Sequence, residues 1–213
     1  MELIESDWSS IEGTECYCSS DAAAEIRSRI AEMPLRAAHY LGTGDFHYQS
    51  LFWLERIGEP FTLMLFDNHP DNQEGAFGDE LLSCGGWVLK ALELPMLKGM
   101  IWFDGDGKSH QVRRESEGAG AREADASDGS GRMSLPVYLS IDLDILSEEF
   151  AHTNWNQGNM SIDELEKLVR SATDGRRLLG ADFCGGRSAA KGGSPEDSVL
   201  NRRAIARILR AFP

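Results

Sequence analysis

Short apolar runs alternate along the chain with longer amphipathic stretches. The runs are continuous rather than alternating in polarity, which is typical of strands buried on both faces of a parallel sheet. They cover residues 37–41, 61–66, 99–103, 137–141 and 178–183. Because helical stretches lie between most of these runs, the pattern predicts an α/β fold in which helices cover both sides of a mostly parallel central sheet.

Helices are predicted in four stretches: residues 21–33, 86–94, 161–170 and a last helix that begins at residue 194. Asp21 is predicted to cap the first helix. Ser161 and Glu164 have the spacing of a capping box. Ser194 followed by Pro195 is typical of a helix start, because the first helical position has no hydrogen bond for proline to lose.

One segment, residues 104–133, does not follow this pattern. It is rich in glycine, serine, alanine and charge and almost free of large apolar side chains, so it buries too little surface to offset its ordering entropy. We predict a flexible insertion within a single domain that spans residues 1–213. Asp104, Asp106 and Glu115 loosely follow calcium-loop spacing, but Ser109 stands where that loop needs glycine.

The charge balance excludes two classes of partner. Against 21 lysines and arginines, the 213 residues include 35 aspartates and glutamates, a formal net charge of −14. Nucleic acids and anionic membranes are bound through basic surfaces, so we expect neither. No apolar stretch approaches the ~20 residues of a membrane span, and the acidic N-terminus does not resemble a signal peptide. Four cysteines are too few for a disulfide scaffold, which favours a cytoplasmic protein.

Acidic residues and histidines follow several predicted strands, at the point where each strand ends. They are His47 after the first strand, Asp67, His69 and Asp71 after the second, and Asp142 and Asp144 after the fourth. Ligands of open parallel sheets bind beyond these ends, and alternate residues of an extended segment point to one side. Each piece alone has another explanation, since the second group can form a surface turn and the third can cap a loop.

Four carboxylates in one pocket repel each other unless their pKa values rise or cations neutralise them. Carboxylate and imidazole ligands without a thiolate suit divalent manganese or a similar ion. Six ligands exceed what one ion usually takes from protein, so the sequence favours a two-metal centre. Such a centre activates water and polarises an electrophile.

At these residues the sequence resembles the arginase/agmatinase (ureohydrolase) family. The resemblance rests on residues 42–47 (Gly-Thr-Gly-Asp-Phe-His), 67–71 (Asp-Asn-His-Pro-Asp) and 140–144 (Ser-Ile-Asp-Leu-Asp). The family's motifs are Gly-Gly-Asp-His, Asp-Ala-His-X-Asp and Ser-X-Asp-X-Asp, in the same order and after strands. The resemblance implies a three-layer α/β/α fold of the arginase/deacetylase type, covering roughly residues 37–185.

The resemblance also implies a ligand set and a reaction. Two Mn²⁺ ions per subunit would be bound, one by His47, Asp67, Asp71 and Asp142, the other by Asp67, His69, Asp142 and Asp144. A metal-bridging hydroxide would attack the carbon of a linear C–N bond in an amidine, guanidino or amide compound. Asp71 would orient that hydroxide through a hydrogen bond.

This sequence departs from the family pattern at several positions. Phe46 separates the aspartate and histidine of the first motif, and Cys84 stands where arginases have a proton-shuttling histidine. If Cys84 faces the metals, it serves as a thiolate or a proton carrier. No glutamate stands in residues 182–186, where the family holds the substrate's guanidinium, and residues 147–148 replace the family's Asp-Pro. The resemblance therefore supports the metal site better than it supports arginine as substrate.

The loop at residues 153–158 is expected to close over the pocket, with Asn154 hydrogen-bonding a polar substrate and Trp155 forming a wall. Alternatively, it is an ordinary connection that carries a packed tryptophan. Among the remaining candidates, His39 is expected in the core, Cys184 is expected to be a small buried residue, and the Cys-X-Cys pair at residues 16–18 is expected to be structural.

Three functions compete for this sequence. The first is hydrolysis of a small-molecule C–N bond, and the second is metal binding by an arginase-like protein without hydrolase activity, favoured by the departures above. The third, deacetylation, is disfavoured because the chain has no His-His pair. We expect a small-molecule substrate and a homo-oligomer, since relatives in that family often form trimers or hexamers.

Overall fold

The computed structural model describes residues 1–6, 8, 10–74, 81–114, 121–125 and 135–213. The strands are β1 (Leu3–Glu5), β2 (Tyr17–Cys18), β3 (Ala38–Tyr40), β4 (Phe61–Phe66), β5 (Leu82–Ser83), β6 (Leu97–Phe103), β7 (Ser109–Arg114), β8 (Ala121–Asp125), β9 (Val137–Asp142) and β10 (Leu178–Cys184). The helices are α1 (Ser20–Ile30), α2 (Gln49–Leu54), α3 (Trp87–Ala91), α4 (Ile162–Thr173) and α5 (Pro195–Leu209). None of the described helices is long and apolar enough to cross a membrane.

The large sheet has the strand order β1-β3-β10-β9-β4-β6-β7-β8. Neighbours from β1 through β6 in that order run parallel, whereas β7 and β8 add to one edge as antiparallel strands. The five predicted strands all lie in the parallel part, and β4 has the predicted bounds. The prediction of a mostly parallel sheet is confirmed.

Two apolar cores cover the two faces of this sheet. One contains buried side chains of α1, α2 and α3, and the other contains those of α4 and α5. Alternate residues of β4 serve the two cores, since Leu63 and Leu65 belong to the first and Met64 and Phe66 to the second. This arrangement confirms the predicted α/β/α layers and explains why the strand is buried at every position.

Helix starts follow the expected chemistry, with one correction. The capping box of Ser161 and Glu164 is present at α4, and Ser194 caps α5 with proline at its start. The predicted cap Asp21 is wrong, because Ser19 accepts the hydrogen bond from the N–H of Ala22. Ser19 has the extended backbone of a cap, whereas Asp21 lies in the first turn, where its charge favours the helix dipole.

Part of the predicted insertion is β-structure. Strands β7 and β8 lie within residues 104–133, so part of the segment predicted as a flexible insertion is paired into the sheet. Their backbone groups pair with β6 and with each other, and Val112 of β7 is buried. Residues 115–120 and 126–134 lie outside the described residues, and so does Glu115. Asp104 accepts hydrogen bonds from two N–H groups of the turn between β6 and β7.

Candidate metal centre

The strand-end acids of β4 and β9 lie side by side because their strands are neighbours in register. Phe66 pairs with Ile141, so Asp67 and Asp142 occupy the next level of adjacent parallel strands. Each carboxylate then accepts a hydrogen bond from the N–H two residues later, at 2.7 Å from His69 and 2.8 Å from Asp144. These local bonds turn the chain so that the later side chains return to the same edge.

On one side of the centre, His47 meets three carboxylates. Its Nδ1 atom lies 3.1 Å from Asp67 Oδ2, 2.9 Å from Asp71 Oδ2 and 3.8 Å from Asp142 Oδ2. We call this group the inner side, defined by His47, Asp67, Asp71 and Asp142. All four residues are buried.

The second imidazole lies on the opposite flank. His69 Nδ1 is 2.8 Å from Asp144 Oδ2 and 3.6 Å from Asp67 Oδ1. We call Asp67, His69 and Asp144 the outer side, where the His69 side chain keeps 35% of its surface exposed. Asp67 belongs to both sides, as a bridging ligand would. The six predicted ligands are therefore brought together, and the ligand atoms of each of two overlapping triads, His47–Asp67–Asp71 and Asp67–His69–Asp144, lie within 4.8 Å of one another.

His47 is fixed by a chain of buried hydroxyl groups. Its Nε2 is 2.9 Å from the Ser140 hydroxyl oxygen, and that hydroxyl donates to Asp182 Oδ1 at 2.7 Å. Ser50 donates to the same carboxylate oxygen at 3.0 Å. Because Nε2 is engaged in this way, Nδ1 is turned towards the carboxylates, the orientation that a metal ligand requires.

Asp71 is held in a strained backbone conformation. Its φ of 47° lies in the left-handed region, which costs free energy for a residue other than glycine and is found at functional sites. The indole N–H of Trp87 donates to Asp71 Oδ2 at 2.7 Å. No sequence pattern indicates this tryptophan, which lies in a helix and reaches the centre only in the folded chain.

Burial makes the cluster electrostatically costly without cations. It raises the pKa of Asp142 to about 6, with further repulsion from Asp144, and the pKa of Asp144 to about 7, with repulsion from Asp67. Burial alone would lower the pKa of His47, but the adjacent carboxylates of Asp67 and Asp71 raise it well above its ordinary value. The site therefore attracts positive charge.

Two atoms of the six proposed ligands, Nδ1 of His47 and Oδ2 of Asp67, are among the buried atoms without a hydrogen-bond partner in the described part of the chain. They lie 3.1 Å apart and face the same space. Buried polar atoms are nearly always satisfied, and an imidazole nitrogen that gives up its proton to a bound cation, beside a carboxylate oxygen, is a pair of metal donors. The residues present therefore fit a divalent ion.

A cavity of about 450 Å³ opens over the centre. Its walls include Cys84, Trp155 and Asn156 besides residues of both sides. Trp155 covers Gly44 so closely that a Cβ atom there would lie 2.7 Å from the indole ring. Burial and the charge of Asp71 raise the pKa of the Cys84 thiol well above its usual range, which favours the protonated form over the thiolate.

Only one of the two residues predicted to bind substrate in the loop at residues 153–158 lines the cavity. Trp155 lines the cavity, whereas Asn154 is absent from its lining. The Asn154 amide donates to Asp45 Oδ2 at 2.7 Å and accepts from the N–H of Ser188 at 2.9 Å. The neighbouring Asn156 lines the cavity instead, a difference that the sequence pattern did not signal.

The loop is tied to the last helix. The His152 N–H donates to Asn201 Oδ1 at 2.8 Å, and the Asn201 amide donates back to the His152 carbonyl at 2.7 Å. Nδ1 of His152 also contacts Asp197 Oδ1. These bonds hold α5 to the segment that leads to Trp155.

The stretch after β10 has no space for the carboxylate that the family would place there. Gly185 has a φ of +102°, and a Cβ atom on it would lie 2.4 Å from Asp142 Oδ1. The preceding Cys184 is buried, as expected, but its Sγ atom lies 2.9 Å from Asp142 Oδ2. The strand-end rule could have added this cysteine to the candidate ligands, because β10 is the neighbour of β9.

Several known structures have a similar fold at low sequence identity. The chain aligns with a hypothetical agmatinase from Burkholderia thailandensis at a TM-score of 0.60 and 21% identity, covering 91% of this chain and 66% of that one. It aligns with the proclavaminate amidino hydrolase from Streptomyces clavuligerus at 0.59 and 20%, covering 90% and 69%. These likenesses establish that the chain has the arginase-like α/β fold.

Sequence comparison adds one relative. An uncharacterized protein from Thermotoga maritima is 35% identical over 150 residues, which cover 68% of this chain and 56% of that protein. The chain thus spans little more than half the length of this relative. No protein-family model matches the chain.

Proposed function

We propose that the chain is a metal-dependent hydrolase that cleaves a linear C–N bond in a small amidine, guanidino or amide compound. The main observation behind this proposal is that four buried carboxylates and two imidazoles lie close together beneath a cavity. The name of the Streptomyces neighbour, an amidino hydrolase, supports this class of reaction.

Two divalent ions would be held by the six residues of the inner and outer sides, with Asp67 and Asp142 shared between them. Carboxylate oxygen and imidazole nitrogen suit Mn²⁺. Bound ions would supply an activated water molecule and polarise the bond to be cleaved.

The chain's own residues would manage protons and binding. Trp87 engages Asp71 Oδ2, so Oδ1 is the oxygen available to orient a water molecule by accepting its hydrogen bond. Cys84 lines the cavity as a thiol and can pass a proton to the leaving nitrogen. Trp155 would exclude water from one wall, and Asn156 would hydrogen-bond the substrate.

A second candidate is a metal-binding protein without hydrolase activity. It is favoured by Gly185, whose position leaves no space for a carboxylate that would hold a cationic substrate. Under this alternative the ions bind, but no C–N compound is turned over.

Metal analysis of purified wild-type protein, Asp67→Asn and Asp142→Asn tests the centre, with the exposed Asp106→Asn as the matched control. We expect two ions per chain in the wild type and the control and fewer than one in both centre variants. Retention of both ions by the variants would show that the site is misassigned. A screen of guanidino, amidine and amide compounds with Mn²⁺ then separates the two candidates, because turnover supports the hydrolase and its absence supports the second.

A further inference from the structure

Cys184 occupies a position next to the inner side that topology dictates. Strand β10 pairs with β9 in parallel, and Cys184 is the register partner of Asp142. Both residues stand at the carboxyl ends of their strands, so Sγ of Cys184 lies 2.9 Å from Asp142 Oδ2. The cysteine is fully buried.

Three donors of different chemistry meet there. The ligand atoms of His47, Asp142 and Cys184 lie within 4.8 Å of one another. Nδ1 of His47 is buried and makes no hydrogen bond among the described residues, so it offers a lone pair to this space. The inner side therefore presents nitrogen, oxygen and sulfur, whereas the outer side presents nitrogen and oxygen.

Sulfur changes which metal such a site prefers. Carboxylate and imidazole groups suit Mn²⁺, but a thiolate ligand selects softer ions such as Zn²⁺. Zinc and cobalt accept mixed sets of His, Asp and Cys ligands, and the thiol loses its proton when the metal–sulfur bond forms. Here that proton would leave to solvent.

We propose that Cys184 is an additional ligand of the inner metal position, which therefore binds a thiophilic ion such as Zn²⁺ or Co²⁺ while the outer position keeps a harder ion. This inference rests on the proposed metal centre and adds a ligand and a metal preference to it. It predicts two unlike positions in one centre.

Cobalt substitution tests the sulfur ligand without any activity assay. Metal-free protein is titrated with Co²⁺, and the near-ultraviolet absorption is recorded, where thiolate-to-cobalt charge transfer appears. We expect the band in wild-type protein and in Cys84→Ser, the matched control for a cavity-lining thiol. In Cys184→Ser we expect the band to be lost while cobalt still binds. Zn²⁺ affinity should fall at least about tenfold in that variant, with a much smaller change for Mn²⁺.

A triple variant, C16S/C18S/C84S, leaves Cys184 as the sole thiol and should retain the band, which keeps the test valid if Cys184→Ser does not fold. Cobalt bound to folded wild-type protein without the band would overturn the inference, as would loss of the band in Cys84→Ser. If wild-type protein takes up no cobalt, the metal centre itself fails. If the band is present but no compound is hydrolysed, only the catalytic proposal fails.

Discussion

The inner and outer sides of the centre are built from similar residues but differ in enclosure. His47 is 1% exposed, and Ser140 holds it through a buried hydrogen bond. His69 keeps 35% of its side chain exposed and has Trp155 as an edge-on neighbour at 6.4 Å between ring centroids. The inner side is thus oriented before any ion binds, whereas the outer side borders the cavity.

Enclosure and exposure suit different tasks. An ion held by fixed, buried donors exchanges slowly, and the orientation of its ligands costs little on binding. An ion beside an open cavity is reached by solvent and substrate. In the proposed two-ion centre, the inner ion would organise the ligands and the outer ion would meet the substrate.

Removing one imidazole at a time is the strongest test of the difference between the inner and outer sides. We expect His47→Asn to weaken binding of the first ion by about 100-fold or more, because a fixed ligand is lost. His69→Asn should weaken binding of one ion by about tenfold, since solvent replaces an exposed ligand. Calorimetric titration with Mn²⁺ measures both. Equal losses in the two variants would show that enclosure makes no difference.

A methyl group placed against the inner side gives the next largest effect. Gly185→Ala puts a Cβ atom 2.4 Å from Asp142 Oδ1, so we expect loss of the inner ion and a melting temperature lower by at least about 5 °C. Gly192→Ala is the matched control, because Gly192 also has positive φ (+81°) but open space around its Cβ position. In the control we expect the free energy of unfolding to fall by about 1 kcal/mol, with both ions still bound. Unchanged metal binding in Gly185→Ala would contradict the close packing.

The pH dependence of the metal-free protein sharpens the electrostatic argument. Burial raises the pKa of Asp142 to about 6 and of Asp144 to about 7, above the ~3.9 of an unfolded aspartate. The folded state therefore holds these protons more tightly, and its stability is lost as pH rises through the folded pKa values. We expect thermal melting of metal-free protein several degrees lower at about pH 8 than at about pH 5.

Saturating Mn²⁺ should remove or reverse this trend, because the ion binds the deprotonated carboxylates. Asp144→Asn should flatten the profile of the metal-free protein in the same window. A metal-free protein that becomes more stable between about pH 5 and pH 8 would be inconsistent with these raised values.

The smallest effect is expected at the cavity wall of the outer side. Trp155→Phe keeps an aromatic wall but changes its shape, so we expect KM for any substrate found to rise by about 3- to 10-fold, with metal content unchanged. Trp155→Ala should raise it further, since the wall is lost. Steady-state kinetics with metal analysis on the same samples measures both. Loss of metal in Trp155→Phe would mean that the wall supports the centre itself.

Much of the scaffold follows from local sequence. Strand β4 has the predicted bounds because every residue in 61–66 is buried and all but Thr62 are apolar, and the start of α4 follows from the capping pair Ser161 and Glu164. Helix α2 was not predicted, because all six of its residues are buried and such a helix has no polar face to reveal its period. Strands β7 and β8 were not predicted. They are held at the edge of the sheet by backbone pairing, which leaves no pattern in the side chains.

The candidate site also has a part that local sequence predicts and a part that depends on contacts across the fold. The six predicted ligands follow strands and come together because parallel strand ends share an edge. The contributions of Trp87 and Ser140 depend on contacts across the fold, such as the 93-residue separation between His47 and Ser140. Likewise, Asn154 turns to Asp45, 109 residues away in sequence, and only the folded loop shows that Asn156 is the amide beside the cavity.

The paired hydrogen bonds between His152 and Asn201 attach the last helix to the loop that carries Trp155. Helix α5 is the last element, yet it anchors the loop whose tryptophan lies over Gly44. Replacing Asn201 with alanine would keep every proposed ligand and the apolar core residues of α5 but would remove the hydrogen bonds that hold this loop. The contact between α5 and this loop would thus affect substrate selectivity rather than metal content.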